Sequence, residues 1–208
     1  MLDRTHTENF AHALRAVLAG RVPSAEAMDG ASPAGVLIPL RYHGGEWHVI
    51  LNVRSHHVGQ HKGEIAFPGG RLEPEDADMT ACALRETWEE MGVQPEDVEL
   101  LGPLDAVLTR TNFLVWPVVG VIPHPYPFVI DEREVADIIE VSLATLLDPS
   151  AVRHEARLQP DGSLLQRPSY ACGDYLVFGA TAWMLEQFLS VVRDLSTDPS
   201  MNSLKEAP

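Results

Sequence analysis

Cysteine is scarce in this chain: 208 residues hold only Cys82 and Cys172, far apart and each inside an apolar segment. That count excludes a disulfide-framed fold and predicts two reduced thiols, as in a cytosolic protein. Basic residues are also few, with 15 Lys and Arg against 30 Asp and Glu and a net charge of -15. A nucleic-acid partner is excluded on that balance, because affinity for a phosphate backbone comes from basic side chains that displace counterions. An anionic small molecule is not excluded, since a bound divalent cation reverses the local field. Long apolar runs are missing too: nowhere do about 18 such residues follow one another, which argues against a membrane span. The opening MLDRTHTENFAHALRAVLAG lacks the charged, apolar and small-residue succession of an export signal, so a cytoplasmic protein is expected. Internal repeats and low-complexity tracts are absent as well.

What is present is enough hydrophobic residue, 45%, for one sizeable core. Residues 7 to 19 place Phe10, Ala13, Leu14, Val17 and Leu18 at helical spacing, and GRVPSAEAMDGASP (20 to 33) reads as a connector. The apolar runs 34 to 40 and 47 to 53, separated by HGGE, predict a hairpin. Further strands are expected at 98 to 108, 113 to 122, 137 to 143, 151 to 158 and 175 to 178. Two helices stand among them, Met79 to Met91 and about Gly179 to Arg193, the second with the stripe Ala182, Leu185, Leu189 and Val192. The expected organisation is an N-terminal helix and connector (1 to 33), a main α/β domain (34 to 193) and a C-terminal tail (194 to 208). Strands flanked by a few helices predict a mixed β-sheet with helices on both faces.

The helix beginning at Met79 carries the chemistry. Asp78 is placed to cap its N-terminus and Gly92 to end it. Helical periodicity predicts that Ala81, Leu84, Trp88 and Met91 dock on the sheet while Glu86, Glu89 and Glu90 gather on another side. Trp88 and Trp183 are expected as core anchors. Three carboxylates within one turn repel each other, and Arg85 offsets only part of that. Hard oxygen ligands of this kind suit Mg2+ or Mn2+, which take one or two protein carboxylates and complete their shell with water and substrate phosphate. Upstream, Phe67-Pro68-Gly69-Gly70 supplies a turn with two residues that allow close backbone approach to a metal or phosphate. Cys82 reads as a small packing residue. His56, His57 and His61, in a loop without a nearby cysteine, do not read as a zinc site.

Gly70, Arg85, Glu86, Glu89, Glu90, Gly92 and Val93 match, in order, the box of the Nudix hydrolases, G-x5-E-x7-R-E-U-x-E-E-x-G-U, which this segment resembles. Asp76 stands at the box's upstream Glu position with eight residues before Arg85, and Thr87 takes its first aliphatic position. The preceding run, with Leu51, Arg54, Ser55, Gly63 and Phe67 to Gly70, resembles the extra motif of the coenzyme A pyrophosphatase branch. Gly59 replaces a basic residue of that motif, and Lys62 or His61 is placed to supply the contact. Residues 134 to 143 and 174 to 185 resemble the family's post-box strand and the branch's last helix start, with Phe178 in place of a Trp.

The resemblance implies a Nudix-like α/β/α sandwich and metal-dependent hydrolysis of a nucleoside diphosphate linked to another moiety. Coenzyme A or an acyl or oxidised derivative leads as substrate; ADP-ribose, a nucleoside triphosphate or a non-catalytic binding role are the alternatives. It assigns Glu86 and Glu90 as principal metal ligands, Glu89 as a further one directly or through water, and Arg85 as the residue that orients a glutamate. Glu134, followed by Val135, leads as general base, with a box glutamate as the alternative. Arg54, Lys62, Gly69 and Gly70 are the expected substrate contacts. The partner is a small nucleotide; a homodimer stays open.

Overall fold

A computed structural model describes residues 2–25, 30–55, 63–158, 162 and 164–197. His56, His57, Gly59, His61 and Lys62 lie outside the described residues, as do residues 198 to 208.

In chain order the elements are α1 (Leu2–Leu18), β1 (Ser32–His43), β2 (Glu46–Arg54), β3 (Ile65–Ala66), β4 (Gly69–Arg71), α2 (Met79–Met91), β5 (Glu99–Pro103), β6 (Val107–Leu108), β7 (Phe113–Val121) and β8 (Val135–Ser142). There follow α3 (Leu143–Leu147), β9 (Val152–Leu158), β10 (Leu164–Cys172), β11 (Tyr175–Val177) and α4 (Gly179–Thr197). Eight strands form one mixed sheet whose spine is β3-β2-β1-β7-β5, with β4, β6 and β8 paired onto β1, β7 and β2. β1 and β7 run parallel, and the other pairs in this sheet are antiparallel. β9, β10 and β11 make a separate antiparallel sheet.

Side chains alternate across a strand, and β1 uses both faces. Leu37 joins Ile50, Val118 and Met91 in the layer under α2. Its neighbours Val36 and Ile38 face the opposite layer with Leu14, Leu18, Leu185 and Phe188 of α1 and α4. Helices therefore cover both faces of the sheet, which explains why β1 reads as a continuous apolar run. Both cysteines are free and buried. No helix among the described residues is long and apolar enough to cross a membrane.

Several expectations need correction. The docked face of α2 is rotated from the predicted one: Cys82, Ala83, Thr87, Glu90 and Met91 are buried, while Trp88 is 48% exposed. Trp183 is also exposed, at 41%, so neither Trp is a core anchor. Apolar size misled here, because small and polar residues lie between α2 and the sheet. Thr87 is fully buried with its hydroxyl donating to the Ala83 carbonyl at 2.6 Å, which satisfies the group that made it look misplaced. The single strand expected over 98 to 108 is two strands, β5 and β6. β10 went unpredicted; its sequence LLQRPSYAC breaks apolar alternation at Pro168 and pairs through backbone on a small outer sheet.

Candidate active site

α2 is fixed at both ends. The Asp78 carboxylate accepts from Ala81 N–H at 2.8 Å, and Gly92 closes the helix with φ 71°, a conformation that side chains disfavour. The next loop is tied to the helix end: Val129 N–H donates to Met91 O, and Asp131 N–H donates to Glu90 O. Asp131 O accepts from Glu134 N–H, and Ser55 N–H donates to Glu134 O at 2.8 Å, joining the loop to the end of β2. Backbone hydrogen bonds thus bring α2, the 131–134 turn and β2 to one place.

Of the predicted residues, Arg85, Glu86, Glu89 and Glu90 lie on α2 at that junction, and the charges of Arg54 and Glu134 act on Glu90. Arg85 donates through Nε and NH2 to both oxygens of Asp76, at 2.9 and 3.0 Å. Its NH1 reaches Glu86 Oε1 and Glu89 Oε2, each at 3.0 Å, and NH2 also donates to Arg71 O. Asp76 is held below the usual carboxylate range by this pairing with Arg85. Two parallel bonds from a planar fork make a geometric brace between the box loop and the helix. Although Asp76 is shorter than the Glu of the family pattern, its loop carries one more residue and its carboxylate meets Arg85. Arg85→Lys keeps the charge and loses the fork; kinetics and a thermal melt are expected to show a loss of about 10- to 100-fold in activity and a lower Tm.

Glu90 is only 4% exposed. Its Oε2 accepts from Asn52 Nδ2 at 2.8 Å. Burial and the neighbouring Glu86 push it up to about 8, against the opposing pull of Arg54, while Glu134 adds to the rise and the Gly69 N–H lowers it. Burial also raises Glu86, with Arg85 opposing. Glu134, exposed on its turn, acts electrostatically on both Glu86 and Glu90. Gly70 passes so close to the helix that a Cβ there would lie 2.3 Å from Glu86 Oε1. Gly70 thus lies directly against the Glu86 carboxylate, and a side chain there would push that carboxylate aside. Gly69 pairs with Val36 across β4 and β1.

Cys82 Sγ donates to Gly70 O at 3.4 Å, and burial pushes the thiol up to about 11, which keeps it a packing residue and not a nucleophile. Asn52 was not predicted. The signal was available in β2, EWHVILNVR, where a lone amide interrupts an apolar strand on the face that also carries Ile50 and Arg54.

A hard divalent cation fits this donor set. Glu86 and Glu90 lie one turn apart, both are burdened as anions by burial, and the backbone of Gly70 runs alongside. Among the described residues no three His, Cys, Asp or Glu side chains form a metal cluster by themselves. Arg85 accounts for part of this, because it draws Glu89 toward itself at the helix surface. Two carboxylates with water and substrate phosphate make a sufficient shell for Mg2+ or Mn2+.

The model of the NUDIX domain family matches residues 31–160. A protein of Enterobacter sp. (strain 638), an uncharacterized Nudix hydrolase named NudL, is 38% identical over 156 residues, covering 74% of this chain and 79% of its own length. A protein of the same name from Escherichia coli (strain SMS-3-5 / SECEC) is 36% identical over 161 residues, again 74% and 79%. Among solved structures, a MutT/nudix family protein from Enterococcus faecalis superposes with TM-score 0.51 at 18% identity, covering 97% of this chain and 74% of that one.

Proposed function

The chain belongs to the Nudix hydrolase family, and from that premise we propose that it hydrolyses coenzyme A, or an acyl or oxidised derivative, to adenosine 3',5'-bisphosphate and a 4'-phosphopantetheine. The observation that carries the reading is the convergence of Glu86, Glu90 and Arg54 beside the side-chain-free backbone of Gly70. The Leu51, Arg54, Ser55 and Phe67-to-Gly70 motif supports coenzyme A over other nucleoside diphosphates.

Glu86 and Glu90, with Glu89 beside them, would hold Mg2+ or Mn2+. When bound, the cation neutralises phosphoryl oxygens and makes nearby water more acidic. The reaction is in-line displacement: a water oxygen bonds to one phosphorus, the bridging P–O bond breaks, and the electron pair leaves with the other phosphate. Glu134 takes the proton of that water; Glu89 and Glu90 are the carboxylates next in line. Arg54 donates to a phosphate oxygen through its guanidinium, whose Nε is buried without a partner among the described residues. Arg85 holds Glu86 and Glu89 in place and does not touch substrate. Lys62, outside the described residues, is a further phosphate contact by its place in the motif.

A panel of coenzyme A, acyl-coenzyme A, ADP-ribose, NADH and nucleoside triphosphates, each with Mg2+ or Mn2+ and with products identified, tests the proposal. Coenzyme A or an acyl derivative is expected to give the highest kcat/KM. A preference for ADP-ribose overturns the substrate, and turnover of none overturns the activity.

A further inference from the structure

Within the apolar strand β2, Asn52 is 2% exposed, and one half of its amide is committed. Its Nδ2 donates to Glu90 Oε2 at 2.8 Å. This is the orientation that a metal-ligating carboxylate needs, because in its ionised form it only accepts and must face the NH2 group. That orientation leaves the other half exceptional: Asn52 Oδ1 is buried with no hydrogen-bond partner among the described residues. A buried carbonyl in that condition is costly, and such groups are rare in folded proteins unless a site needs them. A leucine would fill the same volume on β2 without that cost.

Two further facts give the amide a direction. Arg54, whose charge also acts on Glu90, likewise carries a buried group without a partner among the described residues, its Nε. Both residues border Glu90, one by hydrogen bond and one by charge. The Gly69 N–H supports Glu90 from β4, so the carboxylate is braced by donors from two strands while its own helix supplies none. A carboxylate at the end of glutamate's three rotatable bonds otherwise has rotamer freedom, and a ligand group off by a fraction of an ångström binds poorly.

We propose that Asn52 is a positioning residue: its amide N–H fixes the carboxylate of Glu90 in the ligand orientation, and its free carbonyl oxygen accepts a hydrogen bond from water in the loaded site. This rests on the reading of Glu90 as a metal ligand and adds to it a residue outside the acidic box. Outer partners that orient a ligand typically change metal affinity by about 10- to 100-fold when removed.

Mn2+ binding, followed by electron paramagnetic resonance of the free ion, tests this on protein without substrate. Asn52→Leu, with folding checked by circular dichroism, is expected to bind Mn2+ about 10- to 100-fold more weakly than the wild type. A purely structural role would lower Tm and leave the affinity alone, and that result overturns the proposal. Glu90→Gln serves as the control. Retained Mn2+ affinity in Glu90→Gln defeats the ligand assignment itself, whereas loss there with full affinity in Asn52→Leu defeats only the role of Asn52. Should Asn52→Leu not fold, the side-chain amide resonance of Asn52 in the wild type decides: it is expected to shift on saturation with Mg2+, and an unmoved resonance overturns the proposal.

Discussion

Replacing Glu90 with Gln is expected to abolish most activity and, in metal-free protein above pH 8, to raise stability. Glu90 is an acid whose folded value, about 8, lies above its ordinary value of 4.5. The unfolded chain therefore releases this proton first, and the folded state is penalised progressively as pH rises from 4.5 to 8. Below the lower value both states hold the proton and the penalty vanishes; above the upper value it is complete. Each pH unit in that window is worth about 1.4 kcal/mol, so the accumulated penalty between 4.5 and about 8 is on the order of 5 kcal/mol. Gln keeps shape and an acceptor for Asn52 but carries no charge to desolvate. Urea unfolding in EDTA is expected to show wild type and variant alike near pH 4.5 and the variant more stable at pH 9. Activity moves the other way. Losing a ligand that supports several kcal/mol of charge stabilisation lowers kcat on the order of 10²- to 10⁴-fold. Mg2+ should also stabilise the wild type more at pH 9 than at pH 6, since the ligand must give up its proton to bind.

Gly35→Ala is expected to be strongly destabilising for so small a substitution. A Cβ at Gly35 in β1 would lie 2.2 Å from the Met79 carbonyl oxygen and 2.9 Å from the Ala83 nitrogen. Both are backbone atoms of α2, so no side chain can swing aside and the helix itself must lift from β1. Overpacking of a closed core costs about 1–3 kcal/mol and occasionally more, and a clash with helix backbone places this variant at the top of that range. For a chain of this size, that loss is roughly 6–12 °C in Tm. Because α2 also carries Glu86 and Glu90, kcat should fall in protein that is still folded. Gly20→Ala is the matched control, since a Cβ there meets nothing within 4 Å.

The sequence made the acidic box legible because its parts are local. Asp78, Arg85, Glu86, Glu90 and Gly92 sit on one helix, and both helix ends agree with the capping residues. The hairpin of β1 and β2 was legible for the same reason, from a short Gly-containing turn between apolar runs. What escaped depends on partners distant in sequence. Helical periodicity located an apolar side on α2 but not the side that docks, since close packing at Gly35 demands small residues such as Cys82 and Ala83 and leaves Trp88 outside. Asp76 looked like an irregular substitution until the Arg85 fork was seen to span the longer loop. Asn52 could be noticed as an odd residue in β2, but only the fold carries it to Glu90, 38 positions away.

Coenzyme A cleavage in H2¹⁸O with Mn2+, read by mass spectrometry of both products for wild type and Glu90→Gln, tests the central claim most directly. The expected result is adenosine 3',5'-bisphosphate and 4'-phosphopantetheine, with one ¹⁸O atom in one of the two phosphates and the rate nearly lost in Glu90→Gln. Uncleaved coenzyme A with the wild type, or an unchanged rate in Glu90→Gln, would contradict it.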